Sequence, residues 1–111
     1  SEQSQPMITV SDQNAVGNVV VIDRAIMSVD GWLSVRGDDG KGNPKEVIGS
    51  VALPKGNHIK VSIPIDGAKA TTVLFVTLHE DKGMLGTFEF PGTDNPALVD
   101  TQPVIAAFLN L

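Results

Sequence analysis

The two histidines of this chain, His58 and His79, are the side chains best suited to chemistry. His58 opens a predicted strand at residues 59–63, and His79 ends the next one, at 72–78. If these strands run antiparallel, both imidazoles lie at the same end of the domain, where Asp81 could join them. Imidazole nitrogen and carboxylate oxygen are ligands that zinc and copper accept, so the three residues form a candidate metal site.

Other interpretations of these residues stay open. Each histidine could instead hydrogen-bond to backbone at a strand end, because the separation of the two matches no metal-binding motif. Glu80 is an alternative oxygen ligand, and Met84 would add a thioether that suits copper. Apart from this copper or zinc hypothesis, the sequence predicts no cofactor.

The remaining polar residues give no catalytic pattern. No Gly-X-Ser-X-Gly elbow is present to expose a serine nucleophile, and Ser50 lies inside a predicted strand. The acidic residues are spread over the loops, with no pair fixed at a set distance in a cleft as acid–base hydrolysis requires. Cysteine is absent, which excludes disulfides, thiolate metal centres and cysteine nucleophiles. The sequence therefore predicts a protein that is not an enzyme.

The elements that must position these residues are short strands separated by turn residues. The chain has 111 residues, is rich in Val, Ile and Thr, and contains 11 Gly and 7 Pro. β-Branched side chains favour strands, and no long stretch has helical periodicity. We predict one all-β domain over residues 7–111, an antiparallel β-sandwich of Ig-like architecture, after a flexible tail at 1–6. The predicted strands, about seven or eight in number, cover 7–10, 19–26, 32–36, 47–53, 59–63, 72–78, 88–90 and 104–109.

The alternation of side chains predicts which face of each strand is buried. Ile59 is expected to share the buried face of its strand with Val61. Trp32 alternates with Leu33 and Val35, so either the tryptophan or its two neighbours face the core. A tryptophan in the core or half-covered is the commoner case, and we expect it here.

The net charge of −5 disfavours two classes of partner. An acidic chain without a Lys or Arg cluster repels the phosphate backbone of nucleic acids and an anionic membrane surface. No stretch of the sequence is apolar and long enough for direct insertion into a membrane. The partners that remain are other proteins.

Several segments stand out when they are taken in chain order. They are Val-Ser-Asp-Gln at 10–13, Asp-Gly-Trp-Leu at 30–33, Leu-Pro-Lys-Gly-Asn-His at 53–58, Leu-Phe-Val-Thr-Leu-His at 74–79 and Gly-Thr-Phe-Glu-Phe-Pro-Gly at 86–92. This ordered set resembles an uncharacterised β-sandwich domain family of secreted or surface-anchored archaeal and bacterial proteins. The resemblance implies an extracellular setting and a modular, non-enzymatic role. Some members of the family carry an acidic loop after the histidine that looks calcium-binding, but here that loop lacks the alternating Asp and Asn oxygens, which argues against calcium.

Together these observations predict a non-catalytic module that is extracellular or at the cell surface. Its role would be structural, adhesive or assembly-related, and its partners would be other protein modules or subunits at the cell surface. The alternative prediction is a copper- or zinc-binding domain that uses His58 and His79, with Asp81 as a further ligand.

Overall fold

The chain folds into short strands that are joined by turns. The computed structural model describes residues 5–15, 17–81, 98–99 and 102–111. Apart from a single 3-10 turn at Gly67–Lys69, the regular elements in this part of the chain are strands. They are β1 (Met7–Thr9), β2 (Val19–Met27), β3 (Gly31–Asp38), β4 (Pro44–Leu53), β5 (Gly56–Pro64), β6 (Val73–Glu80), β7 (Leu98–Val99), β8 (Gln102–Pro103) and β9 (Ile105–Leu109).

Two antiparallel sheets form the sandwich. One has three strands in the order β1–β2–β5, and the other has four strands in the order β4–β3–β6–β9. A separate two-stranded hairpin joins β7 and β8. The prediction of an all-β, antiparallel sandwich of Ig-like architecture is confirmed.

The core lies between the two sheets and takes one face of each. In β3, Leu33 and Val35 have no exposed surface, whereas Trp32 lies half-buried on the opposite face. In β2, Val20 and Ile22 are buried in the same way. The period of two along a strand sends one set of side chains inward, and that set is apolar here. The buried apolar residues are Ala15, Val20, Ile22, Ala25, Met27, Leu33, Val35, Ile48, Ile63, Ile65, Leu74, Val76, Leu78 and Phe108.

The expectation that Ile59 is buried is wrong, and an irregularity in β5 explains why. Lys60 has a φ of 51°, a left-handed conformation that is uncommon for a residue with a side chain. The alternation reverses at this point, so Val61 packs against the core while 65% of the Ile59 surface is exposed. On the neighbouring strand, Asp23 and Arg24 are both exposed at the same level. Two consecutive residues on each of the two strands therefore face outward, although the register of β2 against β5 is the same on both sides of this point.

Some expectations fall on residues outside the described part of the chain. They include most of the tail at 1–6, the strand at 88–90 and the side chain of Met84. The extent of the domain, 7–111, stays a prediction. Within the residues that the structure describes, no helix has the length and apolar character needed to cross a membrane.

Gln13 joins the two sheets where β1 ends. β1 pairs with β2 only as far as Arg24, so the peptide group of Val21 lies beyond the end of β1. The Gln13 side chain supplies a partner there: its Oε1 accepts from Val21 N at 2.9 Å, and its Nε2 donates to the Val21 carbonyl at 2.8 Å. The Gln13 backbone meanwhile donates to the Leu109 carbonyl at 3.0 Å and accepts from Leu111 N at 2.9 Å. A single residue therefore hydrogen-bonds to both sheets.

Replacing Gln13 with glutamate should lower the free energy of unfolding by about 1–2 kcal/mol. The carboxylate keeps the shape of the amide but has no N–H for the Val21 carbonyl. Urea unfolding followed by circular dichroism measures the change. The matched control is Gln5→Glu, which adds the same charge at an exposed position and should change stability by less than about 0.5 kcal/mol. Equal losses in the two variants would assign the effect to charge and not to the lost bond.

Candidate functional site

His79 lies near the end of β6, and its side chain has no exposed surface. In the ladder between β3 and β6 it is opposite Trp32, and Ser34 follows two positions along β3 on the same face. The Ser34 Oγ and the His79 Nε2 are 2.8 Å apart, which makes a hydrogen bond between two buried side chains. The register of β3 against β6 sets this contact.

Ser34, Thr77 and His79 form a buried polar layer on the face of the four-stranded sheet that points away from the core. Ser34 sits in the middle of it, opposite Ser50 of β4 on one side and Thr77 of β6 on the other. The Thr77 Oγ1 is buried and has no hydrogen-bond partner in the described part of the chain. A buried polar atom without a partner is unfavourable, whereas the bond between Ser34 and His79 gives both of its buried polar atoms a partner and so helps to stabilise this layer.

A serine that is hydrogen-bonded to a histidine is also the pairing that activates a nucleophile in many hydrolases. Here neither side chain has exposed surface, so the Ser34 hydroxyl is not placed to meet a substrate. The pair instead satisfies a buried imidazole. Reasoning from the sequence missed Ser34, since the contact depends on strand register and no local pattern reports it.

Arg36 lies two positions beyond Ser34 in β3 and is half-buried on the same face. Its Nε donates to the Lys45 carbonyl at 2.7 Å, which fixes the guanidinium against β4. Burial lowers the pKa of Arg36, but a guanidinium stays protonated at neutral pH. This face of the sheet therefore carries a fixed positive charge.

His58 lies near the start of β5, in the three-stranded sheet, and is half-buried. Its Nε2 is 2.7 Å from the carbonyl oxygen of Pro54. A carbonyl can only accept, so the His58 Nε2 carries a proton and donates it in this bond. For this histidine the structure shows a bond to backbone at a strand end, which is the alternative that the sequence left open.

The structure does not gather the three predicted metal ligands into one group. His58 belongs to the three-stranded sheet and His79 to the four-stranded sheet, and each ring has its own hydrogen-bond partner. The Asp81 backbone N–H donates to the Asp30 carbonyl at 3.0 Å. In the described part of the chain, no three His, Asp or Glu side chains lie close enough together to hold a metal ion. Copper or zinc binding through His58 and His79 stays a prediction.

We expect the domain to keep its cooperative thermal transition in the presence of EDTA. Its core is a continuous set of apolar side chains from both sheets, and such a core needs no metal to form. Circular dichroism melting with and without the chelator tests this, with zinc added back as the control. A midpoint that falls in EDTA, recovers with zinc and loses this response in His58→Ala would instead support the metal hypothesis.

The loop between β3 and β4 carries exposed carboxylates that are held by backbone amides. The Asp38 Oδ1 accepts from Gly42 N at 2.9 Å, and the Asp39 Oδ1 accepts from Lys41 N at 2.7 Å and Asn43 N at 3.2 Å. The hydrogen bond from the Lys41 backbone lowers the pKa of Asp39. Asp39 is therefore ionised at neutral pH, and the loop is built from side-chain-capped turns.

The fold and the site define a class of protein: a cysteine-free β-sandwich module whose histidines hydrogen-bond within the fold. The model of the family described as Domain of unknown function (DUF7282) matches residues 6–109, and the chain belongs to this family. The resemblance to an uncharacterised family of surface proteins is thereby confirmed.

Two curated relatives come from Haloarcula hispanica. The chain is 29% identical over 97 residues to Cell surface glycoprotein 2 and 27% identical over 97 residues to Cell surface glycoprotein 1. Each alignment covers 86% of this chain but only 10% of the relative, so the chain spans a small part of the length of these proteins. No solved structure matches the chain.

Proposed function

We propose that the chain is a non-catalytic structural module of a cell-surface protein, located outside the cell, where it contacts other modules or subunits of the surface assembly. The observation that carries the proposal is the pair of alignments, in which most of this chain matches a small part of two much longer cell surface glycoproteins. A compact β-sandwich that recurs inside long surface proteins serves naturally as a spacer and a contact surface.

The described geometry supports a role without catalysis. The one serine–histidine pair in the described residues is fully buried, and the two histidines serve separate hydrogen bonds. Catalytic groups, in contrast, must reach a substrate in a cleft. The surface of the module is then the part that acts, through contact with neighbouring proteins.

The location is tested by labelling cells that produce the protein with an antibody raised against this domain. Intact cells should be labelled as strongly as permeabilised cells, because the domain lies outside. Labelling that requires permeabilisation would place the domain inside and overturn the proposal.

The structural role is tested by deleting the coding segment for this domain from its gene. We expect the surface protein still to be exported but to be released into the medium in larger amounts, because a contact within the assembly is lost. Replacement of the domain by a flexible linker of equal length is the control for spacing. Unchanged retention at the surface in both strains would contradict an assembly role.

A further inference from the structure

A shallow depression lies on the outer face of the three-stranded sheet, at the irregularity at Lys60 where β5 meets β2. Its volume is about 410 Å³, and it is lined by Thr9, Asp23, Arg24, Ile59 and Lys60. The irregularity creates it, because Ile59 and the left-handed Lys60 turn outward together. A concave place on the face of a sheet is unusual, since the strands of a regular sheet present a more even surface.

The apolar part of this depression is unusually open to water. Ile59 is 65% exposed, whereas the other exposed apolar residues of the same sheet, Met7, Val19 and Val21, are 37–38% exposed. An isoleucine of this exposure has most of its apolar surface available for burial against a partner.

The charged part of the depression consists of two cations, Arg24 and Lys60, and one carboxylate, Asp23, so its net charge is positive. Arg24 and Lys60 form no ion pair within 4.0 Å in the described residues, where the ion pair that does form joins Lys69 to Glu46. The carboxylate of Asp23 is engaged by the hydroxyl of Ser11, at 2.6 Å. Two unpaired cations therefore flank an exposed isoleucine, in a chain whose net charge is −5.

Protection of a sheet edge explains only part of this arrangement. β5 is an edge strand, and a lysine on an edge prevents unwanted strand pairing. That accounts for Lys60. It does not account for Arg24, which lies on the middle strand β2, or for the exposure of Ile59, which works against solubility.

We infer that this depression is a docking site for an acidic surface segment of a second copy of this chain, with Ile59 as the apolar contact and Arg24 and Lys60 as partners for its carboxylates. The inference rests on the proposed assembly role, because the docking site would supply one of the contacts by which the module joins the surface assembly. Charge complementarity supports it, because the surface of an acidic chain offers carboxylates to a neighbour's unpaired cations.

The acidic segment that fits best is the loop between β3 and β4. It carries the exposed Asp39 and, next to it, Asp38, and their backbone-bonded turns hold it in one conformation before contact. A preformed loop loses little entropy on binding. No residue of this loop lines the depression within one chain, so the proposed contact is made by the loop of a second copy. A contact between two different patches is heterologous, so it builds either a closed ring or an open array.

Sedimentation velocity of the intact chain, at low and high salt and over a wide concentration range, tests the docking site. We expect association that grows with concentration and weakens with salt, because exposed charges are screened. Arg24→Gln, Lys60→Gln and Ile59→Ser should each weaken association about tenfold. The matched controls are Lys45→Gln and Val29→Ser, at exposed positions elsewhere, and they should associate like the unaltered chain. Thermal melting confirms that each variant is folded.

Substitutions in the loop test the partner side. Asp38→Asn and Asp39→Asn remove the charge but keep the Oδ1 acceptor, so the turns are retained. The double variant of the loop should be monomeric, and so should the double variant Arg24→Gln/Lys60→Gln. A mixture of these two double variants keeps one intact depression and one intact loop, so it should form a one-to-one dimer and nothing larger.

Two results would overturn the docking site. One is a chain that stays monomeric at every concentration and salt tested. The other is association that the depression and loop substitutions leave unchanged, which would assign it to a different surface. Neither result touches the proposed function, since the antibody labelling and the domain deletion report location and retention independently of how this contact is made.

Discussion

Replacing Gly31 with alanine should destabilise the domain by about 3 kcal/mol. Gly31 begins β3, and a Cβ at this position would collide with the backbone carbonyl oxygen of His79 and approach the Met27 Cε to 2.9 Å. The carbonyl cannot move away, because it belongs to β6 in the ladder with β3. Relief would require the two strands to separate at this end. Guanidinium unfolding followed by Trp32 fluorescence and circular dichroism measures the loss.

Gly17→Ala is the matched control for this substitution. Gly17 is exposed, and a Cβ there would have nothing within 4 Å. Its stability should therefore change by less than about 0.5 kcal/mol. If Gly31→Ala unfolds at the same denaturant concentration as Gly17→Ala, the close approach of the β3 and β6 backbones is not a constraint on the sequence.

The requirement for glycine at position 31 illustrates what the sequence predicts and what it leaves out. Asp30-Gly31 is a turn dipeptide, and it marks correctly the point where β2 gives way to β3. The reason that Gly31 is glycine, however, is the passage of a strand that is distant in sequence. Local turn chemistry predicts the boundary, and only the pairing of β3 with β6 reveals the steric constraint.

Strand alternation was predictable wherever the backbone is regular and failed where it is not. Leu33 and Val35 lie on one face of β3 and Trp32 on the other, as their spacing indicates, because β3 keeps the period of two there. The spacing left open which face is buried, and the structure shows that it is the face of Leu33 and Val35. Ile59 does not, because Lys60 adopts a positive φ and reverses the faces of β5. Nothing in the local residue pattern reports this reversal, since lysine has no special preference for a positive φ. β7 and β8 were also missed, because two residues per strand are too few to show a period.

The candidate site was the least predictable part, for a topological reason. The prediction that His58 and His79 could meet rested on two consecutive strands that run antiparallel, and it stays a prediction. β5 and β6 are consecutive, but the chain crosses from one sheet to the other between them. Ser34, a hydrogen-bond partner of His79, is 45 residues away and is brought there by the register of β3 on β6. Long-range pairing of this kind leaves no trace in local sequence spacing.

Removing the His79 side chain should cause the second large loss in the free energy of unfolding. The interaction energy between His79 and Ser34, measured with a double-mutant cycle, is the informative quantity. His79→Ala should cost about 3 kcal/mol, because it leaves a cavity in a fully buried position and orphans the Ser34 hydroxyl. Ser34→Ala alone should cost about 2 kcal/mol, since it leaves the His79 Nε2 buried without its partner. In the double variant the Ser34 hydroxyl is absent, so removing His79 no longer leaves it without a partner. The loss in the free energy of unfolding of the double variant should therefore be about 1 kcal/mol smaller than the sum of the losses of the two single variants.

The matched control for this cycle is Ser50→Ala, because Ser50 lies directly opposite Ser34 on β4 and is only half-buried. Ser50→Ala should lower the free energy of unfolding by less than about 0.5 kcal/mol. When it is combined with His79→Ala, the two losses should simply add. Urea denaturation of the three single variants, the two double variants that combine His79→Ala with Ser34→Ala or with Ser50→Ala, and the unaltered chain supplies all of the free energies. Strict additivity of Ser34→Ala and His79→Ala would mean that the 2.8 Å contact contributes nothing of its own to stability. The coupling expected here would instead establish the buried Ser34–His79 bond as a structural link between β3 and β6, the two inner strands of the four-stranded sheet.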